Sequence, residues 1–480
     1  MTAQLEPREV FSIFAQINQV PRPSKQEGKI IAFMQQFAAD HGIACTTDDA
    51  GNVIMRKPAT PGYEGHPGII LQAHMDMVCE KNKDVEHDFL NDPIRTYVEG
   101  DWLHACGTTL GADDGIGLAM ALAVLTSDTA QHPDLECLFT VDEETGLTGA
   151  FALGQGLLQG KRLINLDSED DGQIFIGCAG GIDTLAKFDI SCEATPGGMF
   201  SAIVSVRGLM GGHSGDDIEK GRGNANKILV RFLDRIDRLT DMRLAHIDGG
   251  NLRNAIAREA QATICVPITF KEQLRIELNQ FAADIEGELG SVEKDLHIEL
   301  ESTETPESVL TKELTVRLIH ALYACPHGVL AMSQDMPGLV ETSTNLASIK
   351  MDSQHITVNT SQRSSVESAK HDAKRMVEYA LSLGGAACTH GDGYPGWKPN
   401  THTELLTLTV DAYRRLFGKE PVVRAIHAGL ECGLFLEKYP WLDMVSIGPQ
   451  MVGVHSPMER LNIPSTGRCY QWLLDILAHS

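Results

Sequence analysis

The feature that most restricts this fold is a set of short apolar runs, each leading into a stretch rich in carboxylate or imidazole. Residues 68–72 (GIILQ) run into Ala73-His74-Met75-Asp76, residues 135–141 into Asp142-Glu143-Glu144, residues 163–166 into Asp167, and residues 443–448 toward His455. Apolar runs this short, bounded by turn residues, read as strands buried on both faces. Between them, residues 118–125 (LAMALAVL) read as a buried helix with Asp113 at its mouth, and residues 148–154 as a second helix. Strands alternating with helices imply an α/β domain built on a mostly parallel sheet, whose ligands collect beyond the carboxyl ends of the strands.

Around this centre the chain divides. Residues 6–18 have apolar positions at helical spacing, and Ser24-Lys25-Gln26-Glu27 has the form of a capping box opening a helix to about Ala39. From about Gly180 the pattern changes to longer alternating strands (202–207, 260–268, 355–362) with helices near 224–239, 271–288 and 312–323. Ser364 to Glu367 reads as another capping box, with its helix ending at Gly384-Gly385. Alternating strands with separate helices indicate an α+β domain inserted into the first. The expected organisation is residues 1–185 and 393–480 for the α/β domain and 186–392 for the insertion.

With 65 acidic against 40 basic residues the formal charge is -25, which argues against nucleic acid or an anionic membrane as partner and suits divalent cations. The eleven cysteines form no CxxC pair, so neither a disulfide framework nor a thiolate zinc site is indicated, and a cytoplasmic protein is expected. The longest apolar helix candidate is too short to span a bilayer.

His74, Asp76, Asp113, Glu144, Asp167 and His455 all fall after or beside the expected strands. Singly, each has an ordinary explanation as a helix cap, a solvated turn residue or a core histidine. Together, two imidazoles and several carboxylates make a donor set suited to zinc, or to manganese or cobalt. Three ligands per ion with one shared carboxylate would serve two metals. Glu143 and Glu144 are neighbours, so one can bind metal while the other acts as general base. Asp76, one residue beyond His74's neighbour, can orient that imidazole.

The motifs QAHMDMV, TLGADDGIG, VDEETG, NLDSED and GVHSP, in this order, resemble those of the co-catalytic zinc peptidases that include carnosinase and aminoacylase. With GLMGGHSGDDI, NLRNAIAREA, QRSSVES, YPGWKPN and HAGLECG, the chain more closely resembles the bacterial aminoacyl-histidine (Xaa-His) dipeptidases. The resemblance implies two zinc ions, one held by His74, Asp113 and Asp167 and the other by Asp113, Glu144 and His455. It makes Glu143 the base and Asp76 the support of His74. In the inserted domain it makes His213 a stabiliser of the tetrahedral intermediate, Asn254 a substrate contact, and Arg363 and Gly429 neighbours of the substrate carboxylate. It also makes that domain a lid and the surface of a homodimer. Asp114 departs from the asparagine expected of relatives.

The expected activity is hydrolysis of dipeptides, preferentially Xaa-His, by a water bridging two zinc ions. An amidohydrolase acting on N-acyl amino acids would share the metal residues and differ in its pocket. A non-catalytic, metal-stabilised dimeric scaffold would have no use for Glu143 and Asp76.

Overall fold

The computed structural model describes residues 2–480, which pack as two compact units. The first comprises residues 2–177, 399–425 and 430–480, and the second residues 178–398 with 426–429. The changeovers differ from the expected 185/186 and 392/393 for a physical reason. Strand Gly180–Asp189 belongs whole to the second unit's sheet, and Tyr394 and Trp397 are bridged back to Gly181 and Cys178.

In the first unit an eight-stranded sheet runs in the order Ala44–Thr47, Val53–Lys57, Leu135–Thr140, Ile69–His74, Arg162–Asn165, Asp443–Ser446, Gln173–Cys178 and Val422–Ile426. Its four central strands are mutually parallel, whereas the pairings to Val53–Lys57 and to Gln173–Cys178 are antiparallel. The parallel character is thus confined to the centre, where it is needed to bring several carboxyl ends to one edge. Ile69–His74 and Leu135–Thr140 are buried along their whole length, as the uninterrupted apolar runs predict. Helix Ala112–Thr126 packs on Ile69–His74 and is buried from Ala112 to Leu125, which explains its lack of a polar face.

The second unit is built on an antiparallel nine-stranded sheet containing Met199–Arg207, Ala260–Pro267, Val340–Met351, His355–Ser364 and Gly180–Asp189. Its helices Ala225–Asp237, Lys271–Leu289, Lys312–Ala324 and Glu367–Leu383 contribute to one apolar core with those strands.

Neither capping box forms. The early helix is Gly28–Asp40, without a side-chain cap, and Ser24 Oγ instead donates to Asp76 Oδ2 at 2.7 Å. The later helix starts at Glu367, while Ser364 remains in the strand and its Oγ accepts from Val366 N. Arg363 therefore lies within a strand and not after it. In both cases the hydroxyl has a closer partner than the helix end.

Candidate metal centre

All the expected metal and catalytic residues belong to the first unit. His74 ends its strand, with Asp76 two residues on. Asp113 and Asp114 lie in the first turn of Ala112–Thr126 with non-helical backbone; Asp114 Oδ1 accepts from Gly117 N and caps the helix that continues beyond the kink, while Asp113 is free to face the site. Asp142 adopts a left-handed conformation (φ 50°) at the end of Leu135–Thr140, and Glu143 and Glu144 follow in a single helical turn. His455 lies between the short strands Met451–Val452 and Arg460–Asn462.

These elements converge on Asp113. His74 Nε2 lies 3.0 Å from Asp113 Oδ1 and 3.4 Å from Asp167 Oδ1. His455 Nε2 lies 3.0 Å from Asp113 Oδ2 and 3.0 Å from Glu144 Oε2. The side chains thus form two three-donor sets that share one carboxylate, a different oxygen serving each. Tetrahedral ligands bound about 2.0–2.2 Å from a zinc ion stand roughly 3.3–3.6 Å apart, so the donors' chemistry fits metal and a small outward shift of the pairs at 3.0 Å would open their spacing to match. Glu144 Oε1 is buried without a hydrogen-bond partner, as a carboxylate oriented toward an ion would be. Glu143 pairs with neither imidazole.

The electrostatics are those of a cation site. Burial, together with Asp113 and despite His74, raises the pKa of Asp167 to about 7. Burial also raises Glu143 well above the carboxylate range, with Asp167, Glu431 and Glu144 adding repulsion. Burial would lower His74, but Asp167 and the hydrogen bonds of Asp113 outweigh it and hold the imidazole well above its usual value. His455 is raised to about 11 by its bonds to Asp113 and Glu144. A divalent ion in each donor set would replace these protons as the neutralising charge.

Asp76 does more than support His74. Its Oδ1 lies 3.3 Å from His74 Nδ1 and accepts from Glu143 N at 3.0 Å, while Oδ2 accepts from Glu144 N at 3.2 Å. One buried carboxylate therefore fixes an imidazole and the backbone of the glutamate pair. Asp142 steadies the same turn by accepting from Thr145 Oγ1 and Thr148 Oγ1. Asp114 is fully buried, accepting from Gly117 N and His74 N, so the departure from asparagine adds a carboxyl to the scaffold beneath Asp113.

Sequence reasoning missed three further supports. Glu459 accepts from the backbone N–H of Leu110 (2.7 Å), Gly111 (3.1 Å), Ala112 (2.8 Å) and Asp113 (3.4 Å), filling the helix mouth with one carboxylate. Buried Arg22 donates to the carbonyls of Met75, Asp76 and Gly111. Gly111, at φ 66°, must be glycine here, since a Cβ would come within 2.6 Å of that guanidinium. The third support is a buried polar row beneath the centre. Glu431 accepts from Gln72 and Thr140, Gln72 accepts from Asn165, and Asn165 accepts from Ser446, which pairs with Ser168. Only the burial expected of neighbouring residues could have flagged these positions.

The second unit holds His213, Asn254, Arg363 and Gly429. It brings three of them around one tyrosine. Arg363 Nη1 donates to Tyr394 Oη at 3.1 Å, Arg363 Nη2 stands 3.4 Å from His213 Nε2, and Gly429 abuts the Tyr394 ring. Asn254 meets the segment next to His213 through its backbone, its carbonyl accepting from Ser214 N at 2.8 Å.

His74, Glu143 and Asp167, at the ends of the parallel strands, meet Asp113 from the helix mouth and His455 from a neighbouring loop, and together they define a hydrolytic metal centre. The chain belongs to peptidase family M20/M25/M40, whose sequence profile matches residues 70–479. It is 42% identical over 475 residues to the cytosol non-specific dipeptidase of Escherichia coli (strain K12), covering 99% of this chain and 98% of that protein. The crystal structure of the aminoacylhistidine dipeptidase from Vibrio alginolyticus superposes with a TM-score of 0.95 at 42% identity, over 100% of this chain and 98% of that one. The aminopeptidase PepT from Bacillus cereus ATCC 10987 shares the fold, with a TM-score of 0.57 at 17% identity over 99% and 98% of the two chains. The family read from the motifs and the expectation of an enzyme therefore both hold.

Proposed function

We propose that this peptidase hydrolyses dipeptides with a free C-terminus, preferring histidine there, and does so with two zinc ions. The observation that carries the reading is the pair of three-donor sets sharing Asp113, with Glu143 left outside both. His74, Asp113 and Asp167 would hold one ion, and Asp113, Glu144 and His455 the other. When bound, the ions supply Lewis acidity to the scissile carbonyl and make a water acidic enough to attack at neutral pH. Glu143 takes the proton of that water and returns it to the departing amine. Asp76 holds the Glu143 backbone and His74 in fixed relation, so that base and ligand keep their spacing. In the second unit, Arg363 reads the substrate carboxylate, Asn254 contacts the substrate, and His213 stabilises the tetrahedral intermediate.

The names of the two 42%-identical relatives support dipeptides as the substrate class and differ in breadth, one being non-specific and the other aminoacylhistidine. The zinc-loaded protein is tested on Xaa-His dipeptides, other dipeptides, tripeptides and N-acyl amino acids. Turnover confined to dipeptides and fastest with C-terminal histidine is expected. Equal rates across dipeptides would remove the histidine preference, and faster turnover of N-acyl amino acids would replace the reading with an amidohydrolase. A cytosolic location is part of the proposal, supported by the Escherichia coli relative's name; no helix among the described residues is long and apolar enough to cross a membrane. So is a homodimer formed through the second unit, which sedimentation of the holoenzyme tests.

A further inference from the structure

Arg363 stands in the middle of a lateral series. In strand His355–Ser364 it is in register with Ser343 on one side and Gly181 on the other, and Gly181 is bridged in turn to Tyr394. The last link is a closed pair of backbone bonds, Tyr394 N to Gly181 O at 2.8 Å and Gly181 N to Tyr394 O at 3.0 Å, and Lys370 Nζ adds a third bond to Tyr394 O at 2.6 Å. Adjacent strands lie about 4.8 Å apart, so the backbones of Arg363 and Tyr394 are separated by roughly 10 Å with one residue between them. Any side chain at that residue would fill the gap. Glycine leaves it open, and the tyrosine ring lies across it. A Cβ on Gly181 would fall 2.7 Å from ring atoms Cε1 and Cζ. Gly429 bounds the ring on another side, where a Cβ would fall 2.8 Å from Cε2. Seated between two glycines, the ring brings Oη to 3.1 Å from Arg363 Nη1.

Arg363 is 7% exposed, and its buried Nε–H has no hydrogen-bond partner. A buried, always charged group with unused donors needs an acceptor, and its long side chain needs something to hold its direction. Burial raises the phenol pKa of Tyr394, so the hydroxyl stays neutral and accepts from the guanidinium.

We infer that Tyr394 is the positioning residue of Arg363, and that Gly181 and Gly429 are glycines in order to seat its ring, which fixes the guanidinium so that its remaining N–H groups face the substrate's free carboxylate. Gly429 then acts through Tyr394 and does not itself contact the carboxylate. The inference rests on the proposed role of Arg363 as carboxylate reader.

The test is steady-state kinetics of zinc-loaded wild type, Tyr394→Phe, Gly429→Ala, Tyr394→Ser and the Gly429→Ala/Tyr394→Ser double variant, on a free dipeptide and on its C-terminal amide. Tyr394→Phe keeps the ring and loses one bond to a charged group, so KM for the free dipeptide should rise roughly tenfold with kcat nearly unchanged and the amide unaffected. Gly429→Ala should cost at least as much in wild type but less than about twofold when added to Tyr394→Ser, because the ring it displaces is gone. Wild-type KM in Tyr394→Phe, or equal losses on free and amidated substrates, overturns the inference. So does a Gly429→Ala loss that is undiminished in the double variant. Crystals of the Tyr394→Phe protein give a readout free of substrate: a displaced Arg363 guanidinium supports the inference, and an unmoved one overturns it. Should Arg363→Ala lose equally on free and amidated dipeptides, the carboxylate reading itself fails, and the crystal readout alone decides whether Tyr394 positions Arg363.

Discussion

Replacing Glu459 by alanine removes the single carboxylate that accepts the four N–H groups of residues 110–113. Two of those bonds, to Leu110 N and Ala112 N, are 2.8 Å or shorter, and Glu459 is 2% exposed, so water does not readily replace them. A buried donor left without its charged partner costs about 1–3 kcal/mol. Orphaning two gives on the order of 2–6 kcal/mol of local destabilisation, or roughly thirty-fold to ten-thousand-fold in the opening equilibrium of the helix mouth. An opposing effect exists: Glu459's own pKa is raised by burial and then by Asp113, so its removal also relieves a repulsion against the shared ligand. The direct bonds should win, because they act on the very backbone that carries Asp113. Hydrogen exchange of the peptide spanning residues 108–118, measured on the metal-loaded protein, should therefore accelerate by that factor, and zinc content at limiting free zinc should fall. Unchanged exchange with full zinc content would refute the reasoning and leave Glu459 as a bystander.

Glu143→Gln should retain zinc by elemental analysis while losing about a hundred- to ten-thousand-fold in kcat, whereas Glu144→Ala should lose metal; the reverse pattern would mean the roles are exchanged. In the metal-free protein His455, with its pKa raised to about 11, contributes stability that is fully present below the unfolded value near 6.5 and is lost as pH rises through about 11. Zinc must displace that proton, so calorimetry at pH 7 in buffers of different ionisation enthalpy should register proton release, and zinc affinity should rise with pH; release of no protons would contradict the arrangement. Arg363→Ala should lower kcat/KM for free dipeptides by about 2–5 kcal/mol in transition-state terms while hardly changing already poor amidated substrates, which paired assays would check.

What could be read from the sequence is what short-range physics controls. The runs ending at His74, Thr140 and Asn165 are apolar because both faces are buried, and that burial is why they form central strands with ligands just beyond. Ser24 and Ser364 misled because each matches a local rule whose hydroxyl is taken by a distant or strand partner. Arg22 and Glu459 act across 89 and 349 residues of chain, respectively, and single charged residues in ordinary loops give no local signal of such a partner. Tyr394 stands out in the sequence only as part of the YPGWKPN motif, and its meaning depends on Gly181, which comes to lie between it and Arg363 only once the sheet is assembled.

The buried row formed by Glu431, Gln72, Asn165, Ser446 and Ser168 has a consequence for how this protein can vary. An aliphatic layer tolerates exchange of one branched side chain for another, because each contact is non-directional and volume can be redistributed. In the polar row each donor has a named acceptor on a neighbouring element, and changing one member leaves its neighbour stranded in a dry interior. Substitutions there should survive only in matched sets, such as Gln72 together with Asn165. The layer just beneath the ligands would then be the slowest part of the sheet to drift.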